Sequence, residues 1–200
     1  SSIIMYDARI HQNFLRNLFL GKAISQGVSS GEFYLEFQPV IDVEAGKLYG
    51  MEALLRWNSA DHGAISPGEF IPIAEENNQI ALLGEFVLEQ ACLFWKQTGF
   101  TKKNLILSVN VSGKQFAQQG FFKRLKTILD RTGMPPCLLK LEVTETALME
   151  NARETVPKLE NLRSLGVQIS IDDFGTGYSS LDYLRQFSAD TMKIDMSFIQ

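Results

Sequence analysis

Histidine and cysteine are scarce in this 200-residue chain, which has only two of each. Cys92 and Cys137 lie far apart without the spacing of a metal knuckle, and His11 and His62 have no obvious partner nearby. A zinc site is therefore not indicated. We expect both cysteines to be small buried hydrophobes of a reducing compartment and both histidines to face solvent. No apolar run approaches the roughly 18–20 residues that span a bilayer, and there is no signal-peptide pattern. The chain opens on Ser1-Ser2 without an initiator Met, as a segment excised from a longer protein would. A cytoplasmic location is expected, although the parent protein could be membrane-anchored. Positive charge is also in short supply. Asp and Glu outnumber Lys and Arg by 23 to 19, a net charge of −4, so no basic surface for duplex DNA or RNA is advertised. An acidic cleft that handles a phosphate ester needs cations to offset repulsion.

What is present is a globular composition, 45% hydrophobic and 21% charged, in a length suited to one core. Phe14, Leu15, Leu18 and Phe19 make an amphipathic helical pattern ended by Gly27 and the Ser29-Ser30-Gly31 break, so residues 1–27 read as a lead-in or connector helix. The main domain, 28–200, alternates strand-like runs at 33–39, 48–54, 104–111, 138–144, 167–172 and 191–195 with helical stretches at 78–98, 114–133, 149–165 and 179–187. Ser66-Pro67-Gly68-Glu69 starts a shorter helix with the pattern of a capping box. Alternation of this kind predicts an α/β fold with a parallel sheet. The strands have one apolar and one polar face. Leu139, Leu141 and Val143, for example, oppose Lys140, Glu142 and Thr144. A doubly wound sheet needs both faces apolar, whereas a TIM-type barrel accepts a polar lumen, so a (β/α) barrel is the better reading.

Glu52, Asn110, Glu142, Asp172 with Asp173, and Asp195 are expected at the C-terminal ends of successive strands. A single such carboxylate is usually a loop or cap residue. Five strand ends of the same kind converge on one barrel mouth, where the charges repel unless cations intervene. Oxygen donors without His or Cys suit Mg²⁺ or Mn²⁺, and two such ions are the usual device for attack of water on a phosphodiester. The Asp172-Asp173-Phe174-Gly175-Thr176-Gly177 stretch predicts a loop that positions ligands or closes over substrate. Arg56 is either a phosphate clamp or a surface ion-pair partner, and Lys193 shares a strand face with Asp195.

These residues resemble the EAL family of cyclic di-GMP phosphodiesterases. Glu52-Ala53-Leu54-Leu55-Arg56-Trp57 matches its signature, and Gln38-Pro39, Val109-Asn110-Val111-Ser112, Glu142-Val143-Thr144-Glu145, the 172–180 loop and Lys193-Ile194-Asp195 match its other motifs in order. The resemblance implies a (β/α)8-like (TIM-type) barrel that hydrolyses cyclic di-GMP to pGpG with Mg²⁺ or Mn²⁺ in a two-metal site. It implies Glu52, Asn110, Glu142, Asp172 and Asp173 as metal ligands, with Glu52, Lys193 and Asp173 in catalysis. Lys193 would contact the attacking water or phosphate. Gln38, Leu54, Arg56 and Asp195 are the implied substrate contacts, and Glu145 the anchor of the 172–180 loop. A homodimer and an upstream GGDEF or sensor domain are the implied partners. The family pattern runs on for two further strands, so the barrel is expected to be incomplete at its C-terminus. A catalytically inactive receptor, or a domain that only dimerises, is the alternative.

Overall fold

The computed structural model describes residues 8–175 and 185–198, and the helix expected at 179–187 falls largely outside them. The chain forms α1 (Ala8–Ser30), β1 (Phe33–Asp42), β2 (Lys47–Ser59), β3 (Gly63–Ile65), α2 (Pro67–Glu76), α3 (Ile80–Gln97), β4 (Ile106–Asn110), α4 (Gly113–Ala117), α5 (Phe121–Thr132), β5 (Leu139–Thr144), α6 (Glu145–Glu150), α7 (Ala152–Ser164), β6 (Gln168–Phe174) and β7 (Thr191–Ile194). The sheet order is β1-β2-β4-β5-β6-β7, with β3 folded back antiparallel on the far part of β2. From β2 to β7 every neighbouring pair on this path is parallel. The expected α/β fold with a parallel sheet is therefore present, and among the described residues the sheet does not close on itself.

Several boundaries differ from the sequence reading for local reasons. α1 runs through Gly27 and stops before Gly31, which takes the left-handed conformation (φ 78°). Gly27 serves packing instead. A Cβ there would stand 3.0 Å from the Phe33 ring and 3.2 Å from Trp57 Nε1. The stretch at 114–133 is two helices, α4 and α5, and the one at 149–165 divides into α6 and α7 at Asn151, whose backbone leaves the helical region. Ser66 precedes Pro67 at the start of α2 as expected, but its hydroxyl makes no cap bond. Glu69, the other half of the expected capping box, is taken by Arg16.

The chain divides into two compact units. Ser1–Tyr34 with Leu55–Leu83 form the first. Its core is aromatic: Phe33 stacks on Trp57 at 4.8 Å, and Phe70 meets both rings edge-on at 5.5 and 5.6 Å. Trp57 Nε1 donates to Glu32 at 2.9 Å, which satisfies the buried indole. α1 packs on α2, with Leu20 and Ile24 fully buried and the Arg16–Glu69 pair and a Gln79–Ser25 hydrogen bond on the outside. His62 is exposed as expected, although its ring also meets that of Phe19 in a T-shaped contact at 4.5 Å.

Leu35–Leu54 with Gly84–Gln200 form the second unit, which holds most of the sheet. Leu107, Leu139, Leu141, Val143, Ile169 and Ile171 fill the apolar face of β4, β5 and β6. Burial of a side chain of this size stabilises by about 1.5–3 kcal/mol, so this face holds the strands against their helices. The polar face is also buried over part of its length, at Ser108, Lys140, Glu142 and Ser170, and opens at Asn110 and Thr144. Curvature explains the burial. Lys140 on β5 reaches Tyr49 on β2 and Thr191 on β7, each two strands away in the sheet. β7 inverts the usual pattern, since apolar Met192 and Ile194 are exposed while Thr191 and Lys193 are half-buried. Cys92 is buried as expected, and burial pushes its thiol up to about 12. Cys137 is exposed, contrary to expectation, because it lies in the short turn Pro136–Leu138 ahead of β5.

Candidate active site

The parallel register of the sheet builds the site. Glu52 pairs with Ser108, Asn110 with Glu142, and Thr144 with Asp172. The functional residue moves two positions along between β2 and β4 and again between β5 and β6, whereas Asn110 and Glu142 are directly opposite, so all stay on the same face. Glu52 was expected at a strand end but sits in the middle of the 13-residue β2. The reason is that β2 changes partner. Its parallel pairing with β4 reaches only Ala53, beyond which it pairs with β3. Glu52 is thus near the end of the parallel sheet though not of its own strand.

Four of the expected residues meet around one lysine. Lys193 Nζ donates to Glu142 Oε2 at 2.6 Å and to Glu52 Oε2 at 2.9 Å, and Asp172 Oδ2 lies 3.6 Å away. Asn110 Nδ2 donates to the other Glu52 oxygen at 2.6 Å. Side-chain exposure falls from 36% at Lys193 through 19% at Asp172 and 16% at Glu52 to 4% at Glu142. This is a half-open mouth with a dry floor. Burial, and next the neighbouring Glu52 charge, push Glu142 above the ordinary carboxylate range against the pull of Lys193 and the Ser108 hydroxyl. Burial also opposes the charge on Lys193, but its hydrogen bonds to Glu142 and Glu52 outweigh this and raise its pKa.

The strand carrying the two aspartates is irregular where they lie. The β6–β7 register shifts between Ile171 and Phe174, and Asp173 adopts a left-handed backbone (φ 53°). A bulge re-aims side chains in this way. Its own amide donates to Asp172 Oδ1 at 3.0 Å, and burial followed by repulsion from Asp172 and Asp195 raises its carboxyl. The turn is held from outside the strand. Glu145, 1% exposed at the start of α6, accepts the Gly175 amide at 2.8 Å. Gly175 must be glycine, since φ is 99° and a Cβ would stand 2.6 Å from the Phe198 ring. Residues 176–180 of the expected loop lie outside the described residues.

Asp195, Gln38, Leu54 and Arg56 were also expected at the site. Asp195 follows β7 and accepts the Ser197 amide at 2.9 Å; the Ser197 hydroxyl and then this amide lower its pKa. Gln38 is exposed on β1 and Leu54 half-buried on β2. Arg56 belongs to the first unit, where its guanidinium donates to the Leu55 carbonyl at 3.2 Å. Among the described residues no group of three or more His, Cys, Asp or Glu is arranged to hold a metal ion, and the Lys193 ammonium lies among the three carboxylates. Lys140 was not singled out by the sequence, although its place two residues before Glu142 on the same polar face was a usable signal.

The EAL domain family model matches residues 22–200. This chain belongs to the EAL domain family. The EAL domain is 40% identical over 197 residues to the bifunctional diguanylate cyclase/cyclic di-GMP phosphodiesterase MucR of Pseudomonas aeruginosa, covering 97% of this chain and 28% of MucR. It is 38% identical over 185 residues to the cyclic di-GMP phosphodiesterase NbdA of the same organism, covering 92% of this chain and 24% of NbdA. It therefore spans about a quarter of the length of these two relatives. Among solved structures, the PaMucR phosphodiesterase in its c-di-GMP complex superposes with a TM-score of 0.84 at 41% identity, over 90% of this chain and 73% of that one. No described helix is long and apolar enough to cross a membrane.

Proposed function

We propose that this EAL domain hydrolyses cyclic di-GMP to pGpG with Mg²⁺ or Mn²⁺ bound. The observation that carries the reading is the convergence of Glu52, Asn110, Glu142 and Asp172 on one point. That point already carries positive charge, the Lys193 ammonium, so the donor set fits a cation. Its all-oxygen composition suits a hard divalent ion. Glu52, Asn110, Glu142 and Asp172 would hold one ion and Asp173 would share a second. Such ions, when bound, neutralise phosphate charge and activate water.

The chain's own residues supply the remainder. Lys193 acts as a fixed positive charge for a phosphate oxygen or the attacking water, because two carboxylates hold its ammonium in place. Glu145 keeps the turn bearing Asp172 and Asp173 in position through the Gly175 amide. Gln38, Leu54, Arg56 and Asp195 are assigned to the nucleotide. The named activities of MucR and NbdA and the ligand of the PaMucR structure support cyclic di-GMP as the ligand. We also assign the domain to a cytoplasmic, homodimeric signalling protein with an upstream GGDEF or sensor domain.

Incubation with cyclic di-GMP and Mg²⁺ or Mn²⁺, followed by nucleotide chromatography, tests the reading. The protein should yield pGpG, and Glu52→Ala should reduce turnover by about a hundredfold or more. Turnover unchanged by Glu52→Ala would overturn the site assignment. The bridging of three carboxylates by Lys193 favours one second reading, a receptor, which would bind the dinucleotide without producing pGpG.

A further inference from the structure

Directly beneath the carboxylate cluster lies a second polar tier. Lys140 precedes Glu142 by two residues on β5, and Thr191 precedes Lys193 by two on β7, so the lower pair repeats the upper one a step down the same strands. Donor and acceptor are exchanged. In the upper tier Lys193 on β7 donates to Glu142 on β5 at 2.6 Å, and in the lower tier Lys140 on β5 donates to Thr191 Oγ1 on β7 at 3.0 Å. β6 separates the two strands, and its Ser170 is in register with both Glu142 and Thr191. Ser170 is fully buried with no hydrogen-bond partner for its hydroxyl, so it provides no polar link between the strands.

Lys140 is 4% exposed, and it bonds hydroxyls rather than carboxylates. Its ammonium donates to Tyr49 Oη at 3.2 Å and lies 4.8 Å from the centre of the Tyr49 ring. A charge this deeply placed is costly unless its geometry is well satisfied. The surroundings that satisfy it come from β2 and β7, the two strands whose Glu52 and Lys193 meet one tier above.

We propose that Lys140 is a positioning residue for the active site: by bonding Thr191 and Tyr49 it sets the spacing of β5, β7 and β2 at which Glu142, Lys193 and Glu52 meet. The inference rests on the metal-site reading above. Lys140 bonds Tyr49 and Thr191 rather than the carboxylates of the cluster, and it acts through the strands.

Mn²⁺ titration by calorimetry on Lys140→Met, Thr191→Val and the double variant tests the proposal without relying on turnover. Lys140→Met keeps the stem and removes the donor, and Thr191→Val removes the acceptor at nearly constant shape. Each single variant should weaken Mn²⁺ binding by about tenfold, the range seen when groups supporting metal ligands are removed. The double variant should be no weaker than Lys140→Met, since both break one contact. Mn²⁺ affinity within twofold of the parent in the single variants, or additive losses in the double, would overturn the proposal. If Lys140→Met does not fold, Thr191→Val alone decides by the same criterion. A parent protein that binds no Mn²⁺ overturns the metal-site reading and this inference together, whereas a parent that binds as tightly as its variants overturns this inference alone.

Discussion

The two units of this chain place their charges in opposite ways. In the first, an aromatic core of Phe33, Trp57 and Phe70 is buried and the ions stay outside, as with Arg16 and Glu69. In the second, ionisable side chains are brought inside: Lys140 and Glu142 are buried, and Lys193 is half-buried between carboxylates. The difference appears in their carboxyl groups. The hydrogen bond from Arg16 holds Glu69 below the ordinary range, while burial lifts Glu142 and Asp173 above it. One unit has settled its charges for stability, and the other keeps carboxylates in an environment that disfavours them without a cation. A site that gives up stability for function has this character.

The largest test of the contrast removes the first unit's core. Trp57→Ala should cost about 3–5 kcal/mol in urea unfolding followed by circular dichroism, as large-to-small changes at buried aromatics do. A loss below about 1 kcal/mol would show that the aromatic cluster does not hold this unit together. Trp95, in the second unit, remains as a separate fluorescence reporter.

A smaller effect, of opposite sign, is expected at Glu142. Its raised pKa means that the folded state favours the protonated form. That contribution is full below the ordinary carboxylate pKa and is lost as pH rises through the raised value. Without metal, Glu142→Gln should stabilise the protein by about 1 kcal/mol near neutral pH and flatten the pH dependence of stability above about pH 5. Mn²⁺ binding should be lost in the same variant. An undiminished pH slope would refute the burial argument.

The smallest change is expected at Glu69, where the sign reverses. Its lowered pKa contributes stability above the ordinary carboxylate pKa that is lost as pH falls through the depressed value. Both partners of the pair are partly exposed, at 44% for Arg16 and 32% for Glu69. Glu69→Gln should therefore cost only about 0.5 kcal/mol at neutral pH and nothing measurable in strong acid. Thermal denaturation at the two pH values checks this. A loss that persists in acid would point to packing rather than charge.

The sequence by itself determined the alternation of strands and helices, the polar and apolar strand faces, and the identity of the motif residues. These are local properties. Side chains alternate along a strand, and a parallel sheet brings equivalent positions of successive strands to one side. Glu52, Asn110, Glu142, Asp172 and Lys193 were legible on those grounds, whereas the anchoring role of Glu145 was implied only by the family resemblance. Tertiary structure alone decided which partners these groups would take. Glu69 left its capping box because Arg16, 53 residues away, offered a charged bond. Lys140 became a buried cross-strand link because curvature brought β2 and β7 around it. Such contacts depend on distances between residues remote in sequence, and no local pattern encodes those distances.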